Sequence, residues 1–214
     1  MSRAATEAYP PTLGVVLAGG RASRMGGTDK SRIRVGGRTI LERVLDRLRP
    51  QCSRVVLSAG ANAARFADTG DVLVPDSVPD YAGPLAGILA GLDWAAGHTR
   101  DIEWAVSVPS DCPFLPRDLV ARLHGARSEA GKPLACAGSG RRRHPAIALW
   151  PVAMREDLRS ALLSEGLRKV DEWVTRFGAG VAEWPSDPVD PFFNVNTPDD
   201  AAEAERIAAQ HPEI

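Results

Sequence analysis

Apolar positions along this chain alternate between two patterns. Short continuous runs, Leu13–Val16, Arg54–Ser58, Asp71–Val74 and Trp104–Val108, read as strands buried on both faces. Segments with helical spacing lie between them. Thr39 is placed to cap a helix that runs to about Leu48, with Ile40, Leu41, Val44, Leu45 and Leu48 on one face. Pro50 ends it. A small polar helix is expected around Asn62–Ala67, a longer one over Pro84–Ala96 and another over Arg117–Glu129. Arg32–Val35 reads as a further short strand before the Gly36-Gly37 turn. This rhythm of strand, crossover and strand predicts a mostly parallel sheet with right-handed crossovers, hence an α/β fold.

The second half is less regular. Leu134–Ala137 and Ala146–Leu149 read as strands around the basic turn Arg141-Arg142-Arg143-His144-Pro145, close enough to form an antiparallel hairpin. Helices over Val152–Leu163 and Arg168–Phe177, and a late strand over Gly180–Trp184, are expected next. Thr197-Pro198-Asp199-Asp200 then has the cap, the first-turn proline and the acidic residues of a helix start, with that helix running to about Ala209. Repeats, low-complexity runs and linkers are missing, so residues 12–214 are read as a single domain behind a loose tail, 1–11.

One stretch departs from both patterns. Leu17–Lys30 follows the first strand and carries two Gly-Gly pairs, two arginines and a lysine. Glycines bring backbone N–H groups close to a ligand, and arginine and lysine supply charge for phosphates. The spacing is neither that of a P-loop nor that of a dinucleotide fingerprint. A phosphate cradle at the strand end is the expectation.

Composition narrows the partners. The 214 residues have a net charge of −1, which supplies no general attraction to nucleic acid or an anionic membrane, and no apolar stretch approaches the length of a membrane span. The N-terminus lacks the apolar core of a secretory leader. Three scattered cysteines, Cys52, Cys112 and Cys136, form no Cys-x-x-Cys pair, which disfavours a zinc or disulfide framework and fits a reducing cytoplasm. Hydrolase motifs of the Gly-x-Ser-x-Gly or His-Glu-x-x-His type are lacking.

Asp76 and Asp111 follow the third and fourth strands, and in a parallel sheet their ends share an edge with the glycine loop. Carboxylates facing a cationic loop suggest a nucleoside triphosphate with a divalent metal, although turn aspartates are the plainer reading of each. Asn194 and Asn196 either cap the last helix or contact metal or substrate. Arg141–Arg143 with His144 are either a solvated turn or a second phosphate site, and His98, His124 and His211 are read as structural. The five tryptophans are read as packing residues.

Leu17-Ala18-Gly19-Gly20, Arg24-Met25-Gly26 and Asp29-Lys30 together resemble the signature of nucleotidyltransferases that build sugar nucleotides and cofactors. Tyr81-Ala82-Gly83-Pro84-Leu85-Ala86-Gly87, Ser110-Asp111-Cys112-Pro113, His144-Pro145 and Asn194-Val195-Asn196-Thr197-Pro198 resemble segments of the molybdenum cofactor guanylyltransferases. The resemblance covers about residues 12–209. It implies a Rossmann-like three-layer sandwich and attack of the terminal phosphate of molybdopterin on the α-phosphate of GTP, releasing pyrophosphate. By position, it implies that Leu17, Ala18, Gly19 and Gly20 hold the nucleotide and that Arg24, Gly27 and Lys30 hold the triphosphate. Arg24, Lys30 and Asp111 would be the catalytic set, Asp76 would contact the nucleoside, and Asp111 and Asn196 would hold Mg²⁺. Gly83, Pro84, Leu85, His144, Asn194 and Asn196 would face molybdopterin. Ser58 stands where many relatives carry asparagine, a change at a base or ribose contact. Transient contacts with cofactor-synthesis or acceptor proteins also follow from the resemblance. The competing readings are a cytidylyltransferase, another small-molecule nucleotidyltransferase, or a nucleotide-binding regulatory domain.

Overall fold

The computed structural model describes residues 9–19, 30–78 and 83–214. Its strands are β1 (Thr12–Leu17), β2 (Arg34–Val35), β3 (Arg38–Thr39), β4 (Arg54–Ser58), β5 (Val72–Val74), β6 (Trp104–Pro109), β7 (Leu134–Ser139), β8 (Arg142–Pro151) and β9 (Ala179–Trp184). Its α-helices are α1 (Ile40–Leu48), α2 (Pro84–His98), α3 (Leu119–Ala130), α4 (Arg155–Ser164), α5 (Val170–Phe177) and α6 (Pro198–Gln210). No described helix is long and apolar enough to cross a membrane.

The central sheet has the order β5-β4-β1-β6-β8-β7-β9. β5, β4, β1 and β6 are parallel neighbours, and β7 is parallel to β9. β8 is antiparallel to both β6 and β7, so among the described strands of this sheet it alone runs against the rest. Alternate residues of one strand enter opposite cores: Val16 joins Ile40, Val44, Leu123 and Ile207 beneath α1, α3 and α6, while Leu13 and Val15 join Leu89, Leu162 and Trp173 beneath α2, α4 and α5. The result is the expected three-layer arrangement, with helices on both faces of a mostly parallel sheet.

Local signals set several boundaries. Thr39 Oγ1 accepts the Glu42 N–H at 3.1 Å, and Glu42 returns a bond to the Thr39 N–H at 2.7 Å, a reciprocal cap for α1. All five apolar residues expected on the α1 face are buried, each contributing about 1.5–3 kcal/mol of transfer free energy. Two readings change. Lys30–Arg32 forms a 3-10 turn, leaving only Arg34–Val35 as strand, paired with β3 across Gly36-Gly37. The expected small α-helix is a 3-10 stretch over Gly60–Thr69, entered at a left-handed glycine (φ +52°). The tail reading also shortens. Tyr9 donates to the Gln51 carbonyl at 2.8 Å and stacks on His124.

His124 is structural, as its context suggested. It bonds Thr12 Oγ1 at 2.9 Å, and burial together with nearby Arg127 pushes its pKa down to about 4.

Close packing of α2 onto the sheet depends on two glycines one turn apart. A Cβ at Gly87 would stand 2.7 Å from Ser58 Oγ and 3.0 Å from Leu17 Cδ2. At Gly91 it would overlap both γ-methyls of Val15, a stiff side chain buried in the core. Gly91→Ala is therefore expected to lower unfolding free energy by about 1–3 kcal/mol in urea denaturation. An unchanged midpoint would show that α2 sits farther from β1.

Candidate active site

The parallel topology brings the C-terminal ends of β1, β4, β5 and β6 to one edge. Leaving β1, the chain is held on both sides: Ala18 N donates to Ser58 O at 2.8 Å, and Ser110 N donates to Leu17 O at 3.2 Å. Gly19 follows, where an added Cβ would meet the Ala59 backbone at 3.7 Å, an ordinary contact. Gly20, Arg24 and Gly27 lie outside the described residues, as do Tyr81 and Ala82.

Ser58 and Asp76 meet at this edge. The buried Ser58 hydroxyl donates to Asp76 Oδ1 at 3.5 Å. Gly60 leaves space for the same carboxylate, since a Cβ there would lie 2.8 Å from Asp76 Oδ2. Burial raises the Asp76 carboxyl above its usual range, and the Ser58 bond opposes the rise. Nothing in the periodicity pointed to Gly60, though its place just past a strand end is a common setting for close backbone approach.

On the other side of β1, Lys30 is the first residue of the 3-10 turn and donates from Nζ to Asn196 Oδ1 at 2.7 Å. Val195 N donates to the Asp111 carbonyl at 2.9 Å, which ties this segment to the end of β6. The cap of α6 reaches one residue beyond the usual pair. Asp200 Oδ2 accepts from Thr197 N at 2.8 Å and also from Asn196 N at 2.9 Å. Those donors, led by the Asn196 N–H, hold the Asp200 carboxyl below its usual range. Asn196 thus has its backbone held by the helix cap while its side chain takes the lysine. Asn194, two residues earlier, is exposed.

Asp111 is the most desolvated carboxylate of the group. Burial raises its pKa, with the Lys30 ammonium as the main opposing influence. Among the described residues the weak Cys112 thiol reaches it at 3.8 Å, and its own backbone N–H also bonds it. No group of three or more His, Cys, Asp or Glu side chains suited to a metal occurs among the described residues.

His144 lies at the same edge. Ser107 pairs with Ala148, and from that pair β6 runs on to Asp111 while antiparallel β8 begins at Arg142. The His144 ring packs on Phe192 at 4.9 Å between centroids, and Nε2 lies 2.9 Å from Ser139 Oγ. Gly140-Arg141 form the turn between β7 and β8, with Arg141 at φ +67°, and Arg142 and Arg143 open β8 with exposed side chains, so the expected three-arginine turn is shorter than the basic run. At the start of α2, Gly83 and Pro84 are exposed, whereas Leu85 is 1% exposed and its side chain belongs to the core under the helix. The expectation that Leu85 faces an acceptor substrate is corrected to that extent: its side chain offers nothing to the edge.

A separate cavity of about 690 Å³ lies beside α1 and is lined by Arg32, Arg38, Arg49 and Asp68 among others. Three of its arginines pair with carboxylates, Arg32 with Asp68 at 2.9 Å, Arg49 with Asp71 at 2.8 Å and Arg38 with Asp46, and Arg34 donates to the Gly37 carbonyl at 2.7 Å.

Comparisons with known proteins bear on the family and the fold. Residues 14–177 match the family described as MobA-like NTP transferase domain. A molybdenum cofactor guanylyltransferase from Nitrobacter hamburgensis is 54% identical over 200 residues, covering 94% of this chain and 96% of the relative. One from Rhodopseudomonas palustris is also 54% identical over 200 residues, covering 94% and 95%. Among solved structures, the molybdopterin-guanine dinucleotide biosynthesis protein A of Archaeoglobus fulgidus superposes with a TM-score of 0.73 at 24% identity, covering 92% of this chain and 99% of that one.

Proposed function

The chain belongs to the molybdenum cofactor guanylyltransferase family, and on that footing we propose that it transfers GMP from GTP to the terminal phosphate of molybdopterin, releasing pyrophosphate. The observation that carries the reading is the meeting of Lys30, Asn196 and Asp111 at the strand edge where β1 and β6 end side by side. An in-line phosphoryl transfer needs position and charge more than a covalent nucleophile. The attacking phosphate is already ionised, so no general base is required. Lys30 Nζ neutralises charge that grows on the α-phosphate oxygens and the leaving pyrophosphate, and Asn196 holds that amine in place. On the far side of β1, Asp76, seated by Ser58 and Gly60, accepts hydrogen bonds from the nucleoside.

Mg²⁺ fits the residues present. Asp111 is a largely desolvated carboxylate, and the Asn196 carbonyl oxygen, which spends one lone pair on Lys30, has a second to offer, so that together they would make an all-oxygen set of the kind a hard cation takes. Two protein ligands suffice where phosphates supply others. When bound, the ion would neutralise phosphate charge and align the attacking and α-phosphate oxygens.

Incubation with molybdopterin, Mg²⁺ and each of GTP, CTP, ATP and UTP should yield the dinucleotide and pyrophosphate with GTP alone. Product with CTP in preference to GTP would replace the reading with a cytidylyltransferase. GTP binding by calorimetry without pyrophosphate release would replace it with a regulatory domain.

A further inference from the structure

Ser139 is almost wholly buried, at 1% exposure, yet its hydroxyl serves two side chains. It donates to Asp190 Oδ1 at 2.8 Å and stands 2.9 Å from His144 Nε2. A hydroxyl has one proton. Once it is given to the carboxylate, the bond to histidine must run the other way, with Nε2–H donating to Ser139 Oγ. Asp190 is itself held, since Oδ1 also accepts the Phe192 N–H at 2.9 Å. Phe192 packs against the imidazole at a 46° tilt and is braced edge-on by Trp184. Ring plane and tautomer are therefore both set by neighbours. Burial pushes the imidazole pKa down, with Asp190 opposing, which favours the neutral ring. In that form Nδ1 has a lone pair and no proton, and no described residue hydrogen-bonds to it.

We propose that Asp190 and Ser139 are positioning residues that hold His144 as the Nε2–H tautomer, so that Nδ1 accepts a hydrogen bond from an N–H or O–H group of the acceptor substrate. This rests on the transferase reading above and extends it: the acceptor is distinguished by a donor group as well as by its phosphate. A histidine of the opposite tautomer would present a second donor at that point and repel the same group.

The ring nitrogens of His144 can be read by ¹⁵N NMR in the unliganded protein, without any activity. The expected wild-type spectrum is that of the Nε2–H tautomer, and both Ser139→Ala and Asp190→Ala, which remove the hydroxyl and its acceptor in turn, should shift it towards the mixed state. Asp190→Asn keeps the Oδ1 that accepts both the Phe192 N–H and the Ser139 O–H, so its spectrum should stay near wild type, a control against reading a fold defect as loss of the relay. A wild-type Nδ1–H ring, or a spectrum indifferent to both alanine variants, overturns the relay. Kinetics then test its use. His144→Asn places an amide oxygen near the Nδ1 position and should keep KM for the acceptor within about threefold, whereas His144→Gln should raise it about tenfold or more. KM for GTP should stay unchanged in both. Equal effects of Asn and Gln, or a parallel rise in KM for GTP, overturn the assignment of Nδ1. Absence of product with wild-type protein overturns the transferase reading and this use of Nδ1 together, while the NMR result still decides the relay.

Discussion

Replacing Lys30 with alanine is expected to lower kcat/KM by about 10²–10³-fold while leaving the thermal midpoint near that of the parent protein. The side chain opens a 3-10 turn on the site rim and contributes no apolar packing to either core cluster. Two things are lost with the ammonium. The charge facing the phosphates disappears, and Asn196 Oδ1 loses the donor that orients it. Lys30→Gln separates them, because its amide restores a donor without charge. If charge neutralisation is the main contribution, Gln is nearly as slow as Ala. If orientation of Asn196 dominates, Gln recovers most of the loss. Wild-type turnover in Lys30→Ala would remove this lysine from the mechanism. The same variant should raise the Asp111 pKa further, since Lys30 is the main influence holding it down.

Asp111→Asn should abolish measurable transfer and yet leave the protein as stable as the parent or more so, by about 0.5–2 kcal/mol at neutral pH. The sign follows from burial. The folded-state pKa of Asp111 lies above its unfolded value. Its protonated form is thus favoured by folding, and that stability is complete below the unfolded pKa and is lost as pH rises through the folded one. At neutral pH the ionised group burdens the fold, and asparagine removes the burden. The gap between the two proteins should therefore close as pH falls below the ordinary carboxylate range. Denaturant titrations at neutral and acid pH check this. An Asn variant that is clearly less stable at neutral pH would mean that the carboxylate has a partner strong enough to offset its desolvation.

Much of this architecture is legible in the chain because it rests on local rules. The apolar runs of β1, β4 and β6 are long enough to stand out. Thr39 and Thr197 cap their helices through partners three residues ahead. The edge shared by Asp76 and Asp111 follows from parallel topology. What escaped reading is non-local or too short to have a period. β2 and β3 have two residues each, and the Ala-rich Gly60–Thr69 stretch tightens into 3-10 geometry where composition suggests an α-helix. The insertion of β8 between β6 and β7 is a matter of strand order, which hydrophobicity does not encode. Lys30 and Asn196 are 166 positions apart, and no local pattern joins them. Ser139 and Asp190 belong to the same class: an ordinary serine at a strand end and an Asp-Pro pair in a loop, joined only when β7 and the approach to α6 are side by side.

Residues 190–196 make contact at four successive points. Asp190 bonds Ser139, Phe192 packs on His144, Val195 bonds the chain at Asp111, and Asn196 receives Lys30. Seven consecutive residues thus reach Ser139 and His144 at one end and Asp111 and Lys30 at the other, with a set length of chain between them. An insertion or deletion anywhere among them would shift every later contact by the length of a residue, about 3.3–3.6 Å in extended chain. Substitution can be absorbed at single positions along this ribbon, but its length cannot drift. Surface loops elsewhere on the molecule can grow or shrink at little cost, so length variation among descendants of this chain should accumulate there and spare this one connection.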